Sequence, residues 1–141
     1  MGPLDFSGLP QGALVLIDAA PVIYILEGNS RFAPRFQPLF DRQASGDILF
    51  AVTTLAIAEV LTGPLGAGEE ALAKRYRAVM ESWQVVNLTA EIAESAARFR
   101  ASLKLKLADA VQVASAMAVN ADALVTHDRD FSRVKALMVL S

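Results

Sequence analysis

The chain contains no cysteine and a single histidine, His127. Without thiols there is no disulfide framework and no thiolate zinc site. One imidazole also argues against a histidine-based zinc site. No uninterrupted apolar run approaches the roughly 20 residues that a membrane span needs. The opening stretch MGPLDFSGLPQG has no basic region followed by an apolar core, so it does not read as a secretory signal. Cationic charge is scarce too: 13 Lys and Arg stand against 15 Asp and Glu, giving a net charge of −2 and a pI of about 5.3. A global basic field for nucleic acid is therefore lacking, and attraction of such a substrate would need local basic patches or bound metal. These absences lead to the expectation of a cytoplasmic protein.

Apolar side chains, by contrast, are abundant: 54% of the 141 residues are hydrophobic, with a mean hydropathy of +0.39. The length suits one domain, residues 1–141, with a substantial core. Residues 1–12 are rich in Gly and Pro and read as a loose leader. The surplus of Ala and Leu at helical spacing predicts thorough burial and an apolar face suited to a homodimer.

The most informative stretch is LADAVQVASAMAVNADALVTHDRDF, residues 107–131. Leu107, Ala110, Val111, Ala114, Met117 and Ala118 follow the helical period. Asp109, Gln112 and Ser115, spaced by three, draw one narrow polar line along an otherwise apolar cylinder. Such a helix is buried, and a buried carboxylate needs a partner. Asn120 can close the helix in a left-handed conformation. Ala123–Leu124–Val125 then reads as a short strand running into Thr126-His127-Asp128-Arg129-Asp130, an acidic cluster at a strand end.

Earlier in the chain, Ala13 to Ile17 is an apolar run suited to a strand buried on both faces, ending at Asp18. Pro21 suits the start of a helix to Leu26, stopped at Gly28-Asn29, with Ala20 as the expected N-cap and Asp18 free at the strand end. Ser30 to Ala44 is an amphipathic cover that Pro34 and Pro38 should break into two pieces. Ile48 to Val52 is a second buried strand. Thr53 or Thr54 caps the next helix, which should stop at Gly63-Pro64 with Glu59 as its only charge. A helix over Glu69 to Met80, a more exposed strand over Trp83 to Leu88, a helix to about Leu103 and an edge strand over Ala136 to Leu140 complete the series. Strands and helices alternate, which predicts an α/β fold with a mainly parallel sheet between helices on both faces.

Asp18, Glu59, Asp109 and Asp128 with Asp130 thus lie in apolar settings, mostly at strand ends or helix starts. In a parallel sheet those positions share one edge. Crowded carboxylates repel unless some are protonated or a cation neutralises them. Oxygen donors without Cys or several His favour Mg²⁺ or Mn²⁺. An ion held in that way can activate water and neutralise charge on a phosphodiester. Thr126 is expected behind the acids, with its hydroxyl on a metal ligand or on water. For His127 a loop-filling structural role is preferred over proton transfer or substrate contact.

Four segments, LVLIDAAPVIYILEG, TTLAIAEVLTGP, LADAVQVASAMA and ADALVTHDRDF, appear in an order that resembles the PIN-domain proteins, of the kind found as VapC-type toxins of toxin–antitoxin pairs. The resemblance implies a three-layer α/β/α sandwich and Mg²⁺- or Mn²⁺-dependent ribonuclease activity. By position, Asp18, Glu59, Asp109 and Asp128 match the family's catalytic and metal-binding acids, and Asp130 an accessory acid. It also implies a small antitoxin partner and dimerisation. Where the family usually follows its first aspartate with a hydroxyl residue, this chain has Ala19-Ala20. That departure and the acidic pI motivate the alternative of a non-catalytic module binding RNA or a protein partner. RNA would have to use scattered cations such as Lys104, Lys106, Arg129 and Arg133.

Overall fold

In the computed structural model each apolar run becomes a strand, and the helix-period stretches between them become helices. The structure describes residues 2–127 and 131–141. The elements are β1 (Leu14–Ile17), α1 (Ala19–Glu27), α2 (Ala33–Ala44), β2 (Leu49–Thr53), α3 (Thr54–Gly66), α4 (Glu70–Glu81), β3 (Gln84–Val86), α5 (Ala90–Leu103), α6 (Leu107–Ala118), β4 (Ala123–Val125) and β5 (Met138–Leu140). The sheet order is β3-β2-β1-β4-β5. Every strand pair is parallel. Each crossover from β1 as far as β4 carries two helices, and the expected α/β/α sandwich is what forms.

Strand alternation divides the core into two halves. Val15, Ile17, Phe50, Val52 and Val125 face α1 to α4, where Val22, Phe36, Leu39, Val60 and Met80 are buried. Leu16, Ala51, Val86 and Leu124 face α5 and α6, with Ile92, Ala96, Ala110, Val113 and Ala114. The central strand β1 is buried on both sides, which suits its unbroken apolar sequence. At its start, Asp122 clamps it to β4: the Asp122 N–H donates to the Leu14 carbonyl at 2.7 Å. The Leu14 N–H donates to Asp122 Oδ2 at 2.8 Å.

Several boundaries differ from expectation. Helix α1 begins directly after β1, so Asp18 and not Ala20 is its N-cap. Pro21 is tolerated there because first-turn N–H groups have no intrahelical acceptor. The segment with Pro34 and Pro38 is one helix, not two. Pro34 sits in its first turn, Pro38 follows one turn later, and burial of Phe36, Leu39 and Phe40 holds the helix to the sheet. Helix α3 runs through Pro64 to Gly66, with Pro64 buried. The stripe expected on α6 is also incomplete, because Leu107, Met117 and Ala118 at its ends are exposed. Asp109 to Ala116 are instead buried without a break, since α6 lies between α5 and the sheet. Asn120 has the expected left-handed φ of 54°.

The leader has no helix or strand, yet it is not loose. Leu4 is buried in the core, with Phe6 and Leu9 against it. Its backbone N–H donates to the Arg35 carbonyl, and Arg35 Nη1 donates to the Gly2 carbonyl. Among the described residues no helix is long and apolar enough to cross a membrane.

Candidate acidic site at the carboxyl edge of the sheet

The chain leaves β1 for β2 on one side, while β4 pairs with β1 on the other. The carboxyl ends of β1 and β4 therefore flank a topological switch point, where open parallel sheets bind ligands. The register pairs Leu16 with Ala51 and Ile17 with Val125. Continued past the strand ends, it lines up Asp18 between Thr53 and Thr126. Side-chain alternation turns all three toward α6, the face that Leu16, Ala51 and Leu124 share. Three strands thus end in one polar row under one helix.

Gln112 of α6 joins that row. Its Oε1 accepts from Thr53 Oγ1 at 2.7 Å. Its Nε2 donates to Asp18 Oδ1 at 2.9 Å. Thr53 Oγ1 also accepts the Ala56 N–H at 3.0 Å, capping α3. The other Asp18 oxygen, Oδ2, accepts from Thr126 Oγ1 at 2.9 Å. Oδ1 additionally accepts the Ala19 N–H that starts α1, at 2.9 Å. Gln112 is 1% and Thr126 0% exposed, so both donors to Asp18 are shielded from bulk solvent. Sequence reasoning gave Thr53 only a capping role and Gln112 only a place in the polar line of its helix. The signal that could have found the link was the coincidence of polar residues at three strand ends with a lone amide on the covering helix.

Asp109 lies three residues before Gln112, on the same helix face and one turn nearer the α6 N-terminus, and is buried. Glu59 is on α3, with much of its side chain exposed. Its carboxyl is nevertheless held above the ordinary glutamate range, first by partial loss of hydration and then by the negative charge of Asp18. Asp18 and Glu59 are therefore electrostatic neighbours. Asp128 and Asp130, expected in the same set, lie outside the described residues, as does Arg129. Among the described residues no cluster of three acidic, imidazole or thiol side chains is preassembled for a metal. His127 Nδ1 and Tyr24 Oη share a hydrogen bond of 2.7 Å. Its ring also stands 4.7 Å from that of Phe32 and 5.3 Å from that of Tyr24. His127 thus packs against Tyr24 of α1 and Phe32, the N-cap of α2.

Asp109 also lines a cavity of about 240 Å³ together with Lys104, Leu105, Lys106, Ser132 and Arg133. Three cations expected to be scattered are thus gathered at one opening beside a carboxylate of the candidate set.

Replacing Gln112 with Met keeps the volume but removes the bridge, leaving the buried Thr53 hydroxyl without its acceptor. Urea denaturation should show a loss of about 1–3 kcal/mol; an unchanged midpoint would mean that the bridge contributes nothing. Glu59 gives a pH-dependent test. A carboxyl whose pKa rises on folding binds its proton more readily in the folded state, so its charge costs stability at higher pH. Without divalent cation, Glu59→Gln should stabilise the protein at neutral pH. The gain should shrink as pH falls through the raised folded value and vanish below the ordinary 4.5, where both states are protonated. Urea midpoints across that range decide it; a gain that did not depend on pH would refute the coupling.

Comparison with known proteins gives the same architecture. The chain matches the toxin–antitoxin complex from Klebsiella pneumoniae with TM-score 0.70 and 22% identity over 88% of this chain and 95% of that one. VapBC-1 from nontypeable Haemophilus influenzae matches with TM-score 0.70 and 19% identity, covering 89% and 96%. Mycobacterium tuberculosis VapC20, a toxin that cleaves the sarcin–ricin loop, matches with TM-score 0.67 and 18% identity, covering 90% and 99%. No curated protein sequence matches the chain. The PIN domain model matches residues 15–137, a span that holds all three strand ends of the polar row and the whole of α6. The chain belongs to the PIN-domain family.

Proposed function

We propose that this protein is a metal-dependent endoribonuclease, the toxin of a toxin–antitoxin pair, with Asp18, Glu59, Asp109 and Asp128 as its acidic set and Asp130 as an accessory acid. The observation that carries the reading is the Asp18 carboxylate, fixed at the switch point by hydrogen bonds from Gln112 and Thr126. The donor chemistry fits Mg²⁺ or Mn²⁺. The available side chains offer oxygen alone, and the mutual repulsion of Asp18 and Glu59 is what a divalent cation relieves. Asp18, Glu59 and Asp109 are the described residues that would hold it. When bound, the ion would activate water and neutralise charge on the phosphodiester during in-line displacement.

The chain's own groups have separable tasks. Thr126 and Gln112 orient both Asp18 oxygens from buried positions, so the carboxylate needs no reorganisation when substrate arrives. Glu59, on α3, would offer its carboxylate to the ion. His127 is fixed by its hydrogen bond with Tyr24. An RNA panel incubated with Mg²⁺, Mn²⁺ or EDTA, with Asp109→Asn alongside, tests the reading. Cleavage should require metal and fall by about 100-fold or more in the variant. Cleavage surviving in Asp109→Asn would refute the site. No cleavage together with no Mn²⁺ binding would favour a module that only binds RNA or a protein.

The toxin–antitoxin complex among the similar structures supports an antitoxin as partner. We propose that it is small and that one of its segments crosses the acidic cleft and offers an Arg to the carboxylates. The apolar surplus supports a homodimer within that complex. Co-expression with the neighbouring open reading frame should give one stable complex whose light-scattering mass contains two copies of this chain. Separate elution, or a mass with one copy, would remove the respective claim.

A further inference from the structure

The link between α5 and α6 breaks two local rules within three residues, and both breaks are lysines. Lys104 ends α5 in the left-handed region, with φ 55° and ψ 36°, a conformation where helices prefer Gly or Asn. Lys106 is the N-cap of α6 and makes no side-chain capping bond. Ser, Thr, Asp or Asn would cap there, and the helix dipole disfavours a cation at that end. Neither lysine is in an ion pair with a described residue, so pairing among the described residues does not explain them. Leu105 between them is buried and anchors the link. Both lysines line the cavity that Asp109 also lines. Arg133 completes the basic wall, tied by Nη1 to the Leu103 carbonyl at 3.0 Å. Sites that violate local preferences without a structural gain are where function is expected.

From this juxtaposition we infer that Lys104, Lys106 and Arg133 form a subsite for a backbone phosphate of the RNA strand, next to the phosphate being cut. The inference rests on the ribonuclease reading. An acidic centre on a chain of net charge −2 repels a polyanion, and a local trio of cations beside Asp109 offsets that repulsion where the strand must lie. Bonds to phosphate position the strand without reading its sequence. Selection of a particular RNA would fall to other residues.

The rule-breaking gives the test its direction. In Lys104→Gly/Lys106→Ser, glycine relieves the left-handed backbone and serine supplies the missing cap, so the fold should be as stable as the parent or more so. Binding of a mixed-sequence, single-stranded oligoribonucleotide, measured in EDTA, should weaken roughly tenfold. The slope of log affinity against log salt should fall by about 1.4, that is, about 0.7 for each lysine that no longer neutralises a phosphate. Lys104→Arg/Lys106→Arg, which keeps the charges, should bind like the parent; loss of binding there would overturn the inference. So would an unchanged affinity and salt slope in the Gly/Ser variant while the parent binds and cleaves RNA, leaving the nuclease intact. A parent protein that neither binds nor cleaves RNA would overturn both readings.

Discussion

One amide side chain joins the parts of this molecule that matter for its chemistry. Gln112 projects from the buried centre of α6 and bonds to Thr53 at the end of β2 and to Asp18 at the end of β1. Thr126, at the end of β4, closes the row from the other side. Three strands and the helix covering them are thereby held to a common register at one edge of the sheet. In surroundings otherwise made of Val, Leu and Ala, each of these groups would be costly if left unpaired. As a complete set they specify one arrangement.

The same network explains how Asp18 serves two roles. It caps α1 through the Ala19 N–H, which is ordinary helix chemistry at the positive end of a dipole. Its two oxygens are also oriented by buried donors from two other elements, which helix capping does not require. A carboxylate so constrained presents its remaining lone pairs in a fixed direction. Glu59, whose proton affinity is raised first by partial loss of hydration, also feels the Asp18 charge.

Stability and chemistry pull in opposite directions at the α5–α6 link. At two other helix ends the local choice agrees with the fold: Gly28 closes α1 in the left-handed region, and Thr89 caps α5. At Lys104 and Lys106 they do not, and the two exceptions meet at one cavity beside Asp109. A fold built for stability alone would place glycine and serine there. The placement of cations instead suits the phosphate subsite inferred above.

How much of this was legible beforehand follows from the range of the interactions. Apolar runs such as Leu14 to Ile17 and the turn residues Gly28 and Asn120 act within a few residues, so the α/β class, the order of elements and the acidic strand ends could be read from the sequence. Helix limits at Pro34, Pro38 and Pro64 could not, because burial of Phe36, Leu39, Phe40 and Pro64 outweighed the local preference. Nor could the fastening of the leader, which depends on Leu4 entering the core and on Arg35. The partnership of Gln112 with Thr53 and Asp18 spans 59 and 94 residues, and no local pattern encodes it. The sequence by itself determined which residues carry charge and which segments must be buried. The tertiary structure alone decided which of those charges face one another, because strand order and register bring distant residues to the same edge.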